Sequence, residues 1–96
     1  MSSNQLVNVY AMCPGRIAVR WCQRDSAVIY DEADASLRQV SAVVAQLLGL
    51  LGREPRAVDQ LAAALLGEAP EIEDLKLVER TLGDFVSLGW ARCGVA

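Results

Sequence analysis

Strand patterns and the start of a helix follow one another in RWCQRDSAVIYDEADASLRQVSAVVAQLL, residues 20–48. From residue 17 onward, apolar residues alternate with others, and this period of two predicts a strand with one buried face. The next apolar run is rich in β-branched and aromatic residues, which favour strands. Two polar turns, QRDS and DEAD, separate it from its neighbours. We therefore expect a three-stranded β-meander of residues 17–22, 27–30 and 36–40.

Three helices are expected after the meander. Ser41 is a suitable N-cap for the first, which is apolar almost all round and is therefore expected to be central and buried. Gly52 is expected to end it, and the REPRA segment that follows is expected to be a connector. Pro70 suits the first position of the third helix. The expected helices are residues 42–51, 58–66 and 70–88, with Gly67 and Gly89 closing the second and third.

The order of these elements predicts an α+β fold. The second and third helices, joined by a short loop, are expected to form a helix-turn-helix with the meander as its wing. This is a winged helix-turn-helix made of a three-stranded β-meander followed by three helices. We expect a single domain over residues 1–96, in which 1–14 are either flexible or an extra strand and 90–95 are a short strand or a tail.

Composition and charge exclude several classes of function. Hydrophobic residues make up 53% of the chain, which argues against disorder. The net charge of −3 disfavours nucleic acid as a partner, because phosphate contacts usually need a basic face. The longest apolar run is too short to cross a bilayer, and the first residues lack the pattern of a signal peptide. We expect a bacterial cytoplasmic protein without a nucleic-acid or membrane partner.

Patterns for catalysis and metal binding are missing from the sequence. The chain has no His, the usual general base, and no glycine-rich phosphate loop. Cys13, Cys22 and Cys93 are odd in number and their spacing fits no zinc site, so we interpret them as buried or idle thiols in a reducing cytosol. We therefore expect no enzymatic activity, no cofactor and no metal.

Two features predict a surface that binds another chain. The third strand is short, polar and placed to lie at a sheet edge, where unpaired N–H and C=O groups can accept a further strand. The third helix has a stripe of residues beside its expected core face. The stripe consists of Leu77, Thr81, Asp84 and Leu88, with Arg80 at its border. The expected core face consists of Leu75, Val78, Leu82, Phe85 and Val86.

Each feature also has a purely structural interpretation. Leu77 and Leu88 could simply widen the core face of the third helix. Arg38 is the kind of charged residue that natural sheets place on an edge to prevent aggregation, and it is equally a candidate contact for a bound chain.

Short motifs occur in a fixed order along residues 16–92. They are Val19-Arg20-Trp21, Val28-Ile29-Tyr30-Asp31, the leucine-rich helix at 41–51, Asp59-Gln60-Leu61-Ala62 and Ser87-Leu88-Gly89-Trp90. Their order and spacing resemble the PqqD-like peptide chaperones, also called RiPP recognition elements, and especially the branch found beside a kinase related to HPr kinase (the HPr-rel-A systems). That branch often has Ser-Gly and Thr-His pairs where this chain has ADASLR.

The resemblance implies a non-catalytic peptide chaperone that binds the leader of a ribosomally made precursor peptide. The leader would lie as an added strand on the third meander strand, against the third helix, and be presented to a peptide-modifying enzyme or kinase-like partner. Arg38 or Arg80 would pair with an acidic leader residue. The implied peptide-binding residues are Leu37, Arg38, Gln39, Val40, Leu77, Arg80, Thr81, Asp84 and Leu88.

Two other functions are kept as alternatives. A winged-helix DNA-binding regulator needs a basic recognition helix, whereas the third helix here mixes acidic and basic residues. A regulatory or scaffold subunit would dock on a partner enzyme without binding a peptide. The open edge strand is compatible with a monomer, or with a homodimer formed through that edge or by swapping elements.

Overall fold

A computed structural model describes residues 8–95 of the chain. Within that range, three helices and six strands form an α+β fold with two antiparallel three-stranded sheets. The α+β class expected from the sequence is thus confirmed. In chain order the elements are β1 (Asn8–Met12), β2 (Ile17–Gln23), β3 (Ser26–Asp31), β4 (Ser36–Ser41), α1 (Ala42–Arg53), β5 (Arg56–Ala57), α2 (Val58–Leu66), α3 (Ile72–Leu88) and β6 (Ala91–Val95).

The predicted meander is confirmed as the sheet β2-β3-β4, called the meander sheet below. Its register pairs Ile29 with Val19 on one side and with Arg38 on the other. The β3–β4 turn depends on Asp34, whose carboxylate accepts a hydrogen bond from the Ser36 N–H at 3.0 Å. Short polar side chains stabilise tight turns in this way.

A second sheet, in the order β5-β1-β6, was only partly expected. The extra strand considered for residues 1–14 is present at Asn8–Met12, whereas residues 1–7 lie outside the described part of the chain. The terminal strand β6 pairs with β1, and so does β5. The prediction that REPRA is a connector is therefore wrong for its last two residues, Arg56 and Ala57. They pair with β1, which lies too far away in the sequence for a local pattern to indicate the contact.

Two helix boundaries differ from the expected ones. Helix α1 continues through Gly52 to Arg53, and Glu54 after it is extended because a residue that precedes a proline is driven out of the helical region. Helix α3 begins at Ile72 rather than at Pro70, since Glu71 is its N-cap and the Glu71 N–H donates to the Asp74 carboxylate at 3.0 Å. The left-handed C-caps at Gly67 and Gly89 are confirmed.

Helix α1 is the central element of the core, as its apolar surface predicted. It packs against β1, β3, β4 and α2, and its residues Ala45, Leu47, Leu48 and Leu51 are buried. The α3 core face is confirmed at Val78, Leu82 and Phe85. Val86 was assigned to that face wrongly: it is 38% exposed, because it lies at the margin of the face, about 100° around the helix from Phe85.

Candidate peptide-binding groove

Strand β4 is an edge strand of the meander sheet, as its position in the chain predicted. The Ala42 N–H donates to the Asp25 carbonyl at 3.0 Å, and this bond extends the β3–β4 register by one pair. Hydrogen-bonded pairs alternate with non-bonded pairs in an antiparallel ladder. The main-chain groups of Arg38 and Val40 therefore point to β3, whereas those of Leu37 and Gln39 point to the open edge.

The side chains of β4 alternate between the two faces of the sheet. Arg38 and Val40 stand opposite Ile29 and Ala27, which are fully buried, and so lie on the inner face that packs on α1. Leu37 and Gln39 stand on the outer face, away from the helices. The four strand residues expected to contact a peptide are thus divided: two present side chains on the helix side, and two present main-chain groups at the edge.

An apolar cavity of about 240 Å³ lies between α1, α2 and α3, next to the point where β4 enters α1. Leu77 and Thr81, both predicted site residues, line it. Three of its leucine and valine side chains are unusually exposed: Val43 is 48%, Leu66 is 46% and Leu77 is 58% exposed. The lining residues are Val43, Gln46, Leu47, Leu65, Leu66, Asp74, Leu77, Val78 and Thr81.

Three polar side chains line this cavity: Thr81 and Asp74 offer mainly acceptor oxygens, and Gln46 offers both an acceptor and a donor group. The Thr81 hydroxyl donates to the Leu77 carbonyl at 3.0 Å, so towards a bound ligand its oxygen can act only as a hydrogen-bond acceptor. One Asp74 oxygen accepts from the Glu71 N–H, and the carboxylate as a whole accepts but does not donate while ionised. The cavity therefore suits an apolar side chain whose neighbouring groups donate hydrogen bonds.

The remaining predicted residues of α3 do not line the cavity. Arg80 and Asp84 are exposed on the helix. Leu88 is half-buried and packs against the core, as the structural interpretation of that residue anticipated. Leu77 does not widen the core in this way, because most of its side chain is exposed. The structure thus brings Leu77 and Thr81 to the cavity and leaves peptide contacts of Arg80, Asp84 and Leu88 as predictions.

A partly buried hydrogen-bond network joins the meander sheet to the end of α3, and the sequence patterns did not predict it. Asp31, only 3% exposed, accepts from Arg16 Nε at 2.8 Å and from Trp90 Nε1 at 2.9 Å. The Arg16 guanidinium also donates to the carbonyls of Leu88 and Gly89 at 3.0 and 3.2 Å. Those carbonyls are at the C-terminal end of α3, where a cation is favoured. The network fixes the C-terminal end of α3 relative to the meander sheet.

The same network perturbs the acidity of Asp31. The hydrogen bond from Arg16, then those from Trp90 and the Ala33 N–H, lower the pKa of Asp31 to about 2. The hydrogen bond to Asp31 also raises the pKa of Arg16. A fully partnered, charged pair of this kind is expected to hold one geometry, since moving either partner leaves a buried polar group unsatisfied.

Other kinds of site are not found among residues 8–95. No cluster of three or more His, Cys, Asp or Glu in this range could hold a metal ion. Cys13, Cys22 and Cys93 are free thiols, and none of them is buried: Cys13 is half-buried and the other two are exposed. No helix in the described range combines the length and the apolar character needed to cross a membrane.

Comparisons of the chain with models of protein families, with curated proteins and with solved structures find no match. Support for a function therefore comes from the chain's own geometry and motifs.

Proposed function

We propose that this chain is a non-catalytic peptide-binding module of the PqqD-like type, which holds the leader of a precursor peptide and presents it to a modifying enzyme in the bacterial cytoplasm. The observation that carries the proposal is the edge strand β4, followed directly by a helix whose first turn lines an apolar cavity. In this proposal α2 and α3 form the helix-turn-helix and the meander sheet is the wing.

The leader adds to the meander sheet as a further strand. The N–H and C=O groups of Leu37 and Gln39 face the open edge and supply hydrogen bonds that do not depend on the peptide's sequence. Alternate side chains of the added strand point to the helix side. There they come near Arg38, which pairs with an acidic residue of the leader.

An apolar side chain of the leader fills the cavity between α1, α2 and α3 that Leu77 lines. The exposed parts of Val43, Leu66 and Leu77 lose contact with water when it is occupied, and apolar burial contributes about 25 cal/mol per Å². Main-chain bonds at β4 thus supply general affinity, whereas the cavity selects the peptide. This division is typical of recognition by strand addition.

The surface of α3 supports peptide rather than DNA as the ligand. Four acidic residues, Glu73, Asp74, Glu79 and Asp84, share the helix with only two basic ones, Lys76 and Arg80. A helix that enters the major groove of DNA usually carries a clear excess of basic residues.

The proposal is tested by titrating the isotope-labelled chain with synthetic peptides that match short reading frames beside its gene, and by following amide shifts by NMR. We expect shifts at residues 36–40 and at 77–88. Gln39→Pro removes an N–H that faces the open edge, so it should weaken binding about three- to tenfold. The matched control Gln39→Ala keeps that N–H and should bind like the unmodified chain.

Leu77→Asp tests the cavity separately from the edge. A carboxylate placed at an apolar contact should weaken binding about tenfold or more, with the chain still folded because Leu77 is largely exposed. If the peptide binds with no loss in either Gln39→Pro or Leu77→Asp, the proposed groove is wrong. If the folded chain binds no peptide at all, a scaffold subunit is the better account.

A further inference from the structure

The outer face of the meander sheet has an unusual composition. An antiparallel sheet whose inner face is packed on a core normally carries polar residues on its outer face. Here the outer face forms a cup of about 410 Å³ lined by Ala18, Arg20, Cys22, Val28, Tyr30 and Leu37. Four of these six residues are aliphatic or aromatic, and Leu37 is 70% exposed.

Packing within the sheet explains only part of this cup. Ala18 and Tyr30 are direct cross-strand partners, and so are Tyr30 and Leu37. Such pairs stabilise a sheet modestly and account for the half-buried Tyr30 and Val28. Leu37 gains little from the pairing, because most of its side chain still meets water on the edge strand.

The charge of the cup distinguishes between two possible partners that could cover it, a second copy of this chain and a different protein. Arg20 is the one charged residue among the six that line it, whereas the chain as a whole has a net charge of −3. A second copy docked through the same face would bring two Arg20 guanidiniums into one apolar interface, since a two-fold interface brings each patch onto itself. A carboxylate from a different protein would instead pair with Arg20.

We propose that the outer face of the meander sheet docks a partner protein through a segment that presents a carboxylate among apolar side chains. The apolar residues of that segment cover Leu37 and Tyr30, and its carboxylate pairs with Arg20. This face lies on the side of the sheet away from the helices and from the cavity that Leu77 lines. Leu37 contributes to both proposed surfaces, with its main chain at the β4 edge and its side chain in the cup.

The proposal is tested with a library of random peptides displayed on phage and selected on the immobilised full chain. We expect the enriched peptides to share an Asp or Glu flanked by apolar residues. Arg20→Glu and Leu37→Asp should each weaken their binding about tenfold or more. Arg24→Glu makes the same charge change at an exposed residue outside the cup and should leave binding unchanged.

Further measurements separate this face from the groove and from self-association. Circular dichroism and amide spectra must show that each variant is folded before binding is compared. Leu77→Asp should leave binding of the selected peptides unchanged; if it abolishes binding, the peptides occupy the groove and the proposal is overturned. A dimer of the unmodified chain that dissociates in Leu37→Asp would also overturn it, because a second copy would then cover the cup.

Discussion

The two faces of the meander sheet differ in what holds them. On β3, the inner residues Ala27 and Ile29 are fully buried. Asp31 lies on the same face, and both of its carboxylate oxygens accept hydrogen bonds. The outer residues Val28 and Tyr30 are only half-buried, and the cup they line is formed by residues of the meander sheet. The inner face therefore fixes the sheet, which leaves residues of the outer face and of the β4 edge free to bind other molecules.

The largest effect on stability should come from alanine substitution at Ile29, compared with the same substitution at Val28, its neighbour on the opposite face. Ile29→Ala empties a fully buried site and should lower the free energy of unfolding by about 2–5 kcal/mol. Val28→Ala, the matched change on the outer face, should cost about 1 kcal/mol or less. Urea unfolding followed by circular dichroism measures both, and equal losses would contradict the division between the faces.

Acid should weaken the inner face through Asp31. Its pKa is lowered from 3.8 to about 2 in the folded chain, so folding favours the ionised form. This contribution to stability is present above about pH 4 and is lost as the pH falls towards about 2. Asp31→Asn should flatten the decline of the urea midpoint over that range. Asp84→Asn, on the exposed side of α3, serves as the control, and an equal flattening there would argue against the network.

Gly83 within α3 and Gly89 directly after it should respond to alanine in opposite directions. Gly89 has φ of +80°, and an added Cβ would lie 2.6 Å from Arg16 Nη1, so Gly89→Ala should destabilise the chain by about 1–2 kcal/mol and disturb the network. Gly83 is helical with nothing within 4 Å of an added Cβ, so Gly83→Ala should stabilise it by about 0.5–1 kcal/mol. Thermal unfolding of the two variants measures the difference.

The smallest effect on folding is expected on the outer face. Leu37→Ser should change the free energy of unfolding by no more than about 0.5 kcal/mol, because the side chain is already 70% exposed. A loss of more than 1 kcal/mol in urea unfolding would mean that Leu37 has a role in packing, and its exposure would then be no argument for a docking surface.

Local patterns predicted most of the helices and strands but not the long-range contacts that join them. Alternation and capping located the meander, the start of α1 and the C-terminal ends of α2 and α3, because these signals lie within a few residues of one another. The contact between Asp31 and Trp90 joins residues 59 positions apart, and no local spacing encodes it. The same limit hid the pairing of β5 with β1.

For the candidate site, the sequence predicted the position of β4 in the sheet but not which of its side chains face the helices. The edge position of β4 followed from element order, and Leu77 and Thr81 do lie at a cavity. The period of two along residues 36–40 already implied that Leu37 and Gln39 share one face and Arg38 and Val40 the other. Which of these faces meets the helices depended on tertiary packing, which the sequence alone did not show.

Hydrogen exchange at single amides tests the central claim most directly. In the free chain, the Arg38 and Val40 amides should exchange slowly because they point to β3, whereas those of Leu37 and Gln39 should exchange fast at the open edge. With the leader peptide bound, the Leu37 and Gln39 amides should become protected. Protection that appears on β2, the other edge of the sheet, with Leu37 and Gln39 still exchanging fast, would contradict strand addition at β4.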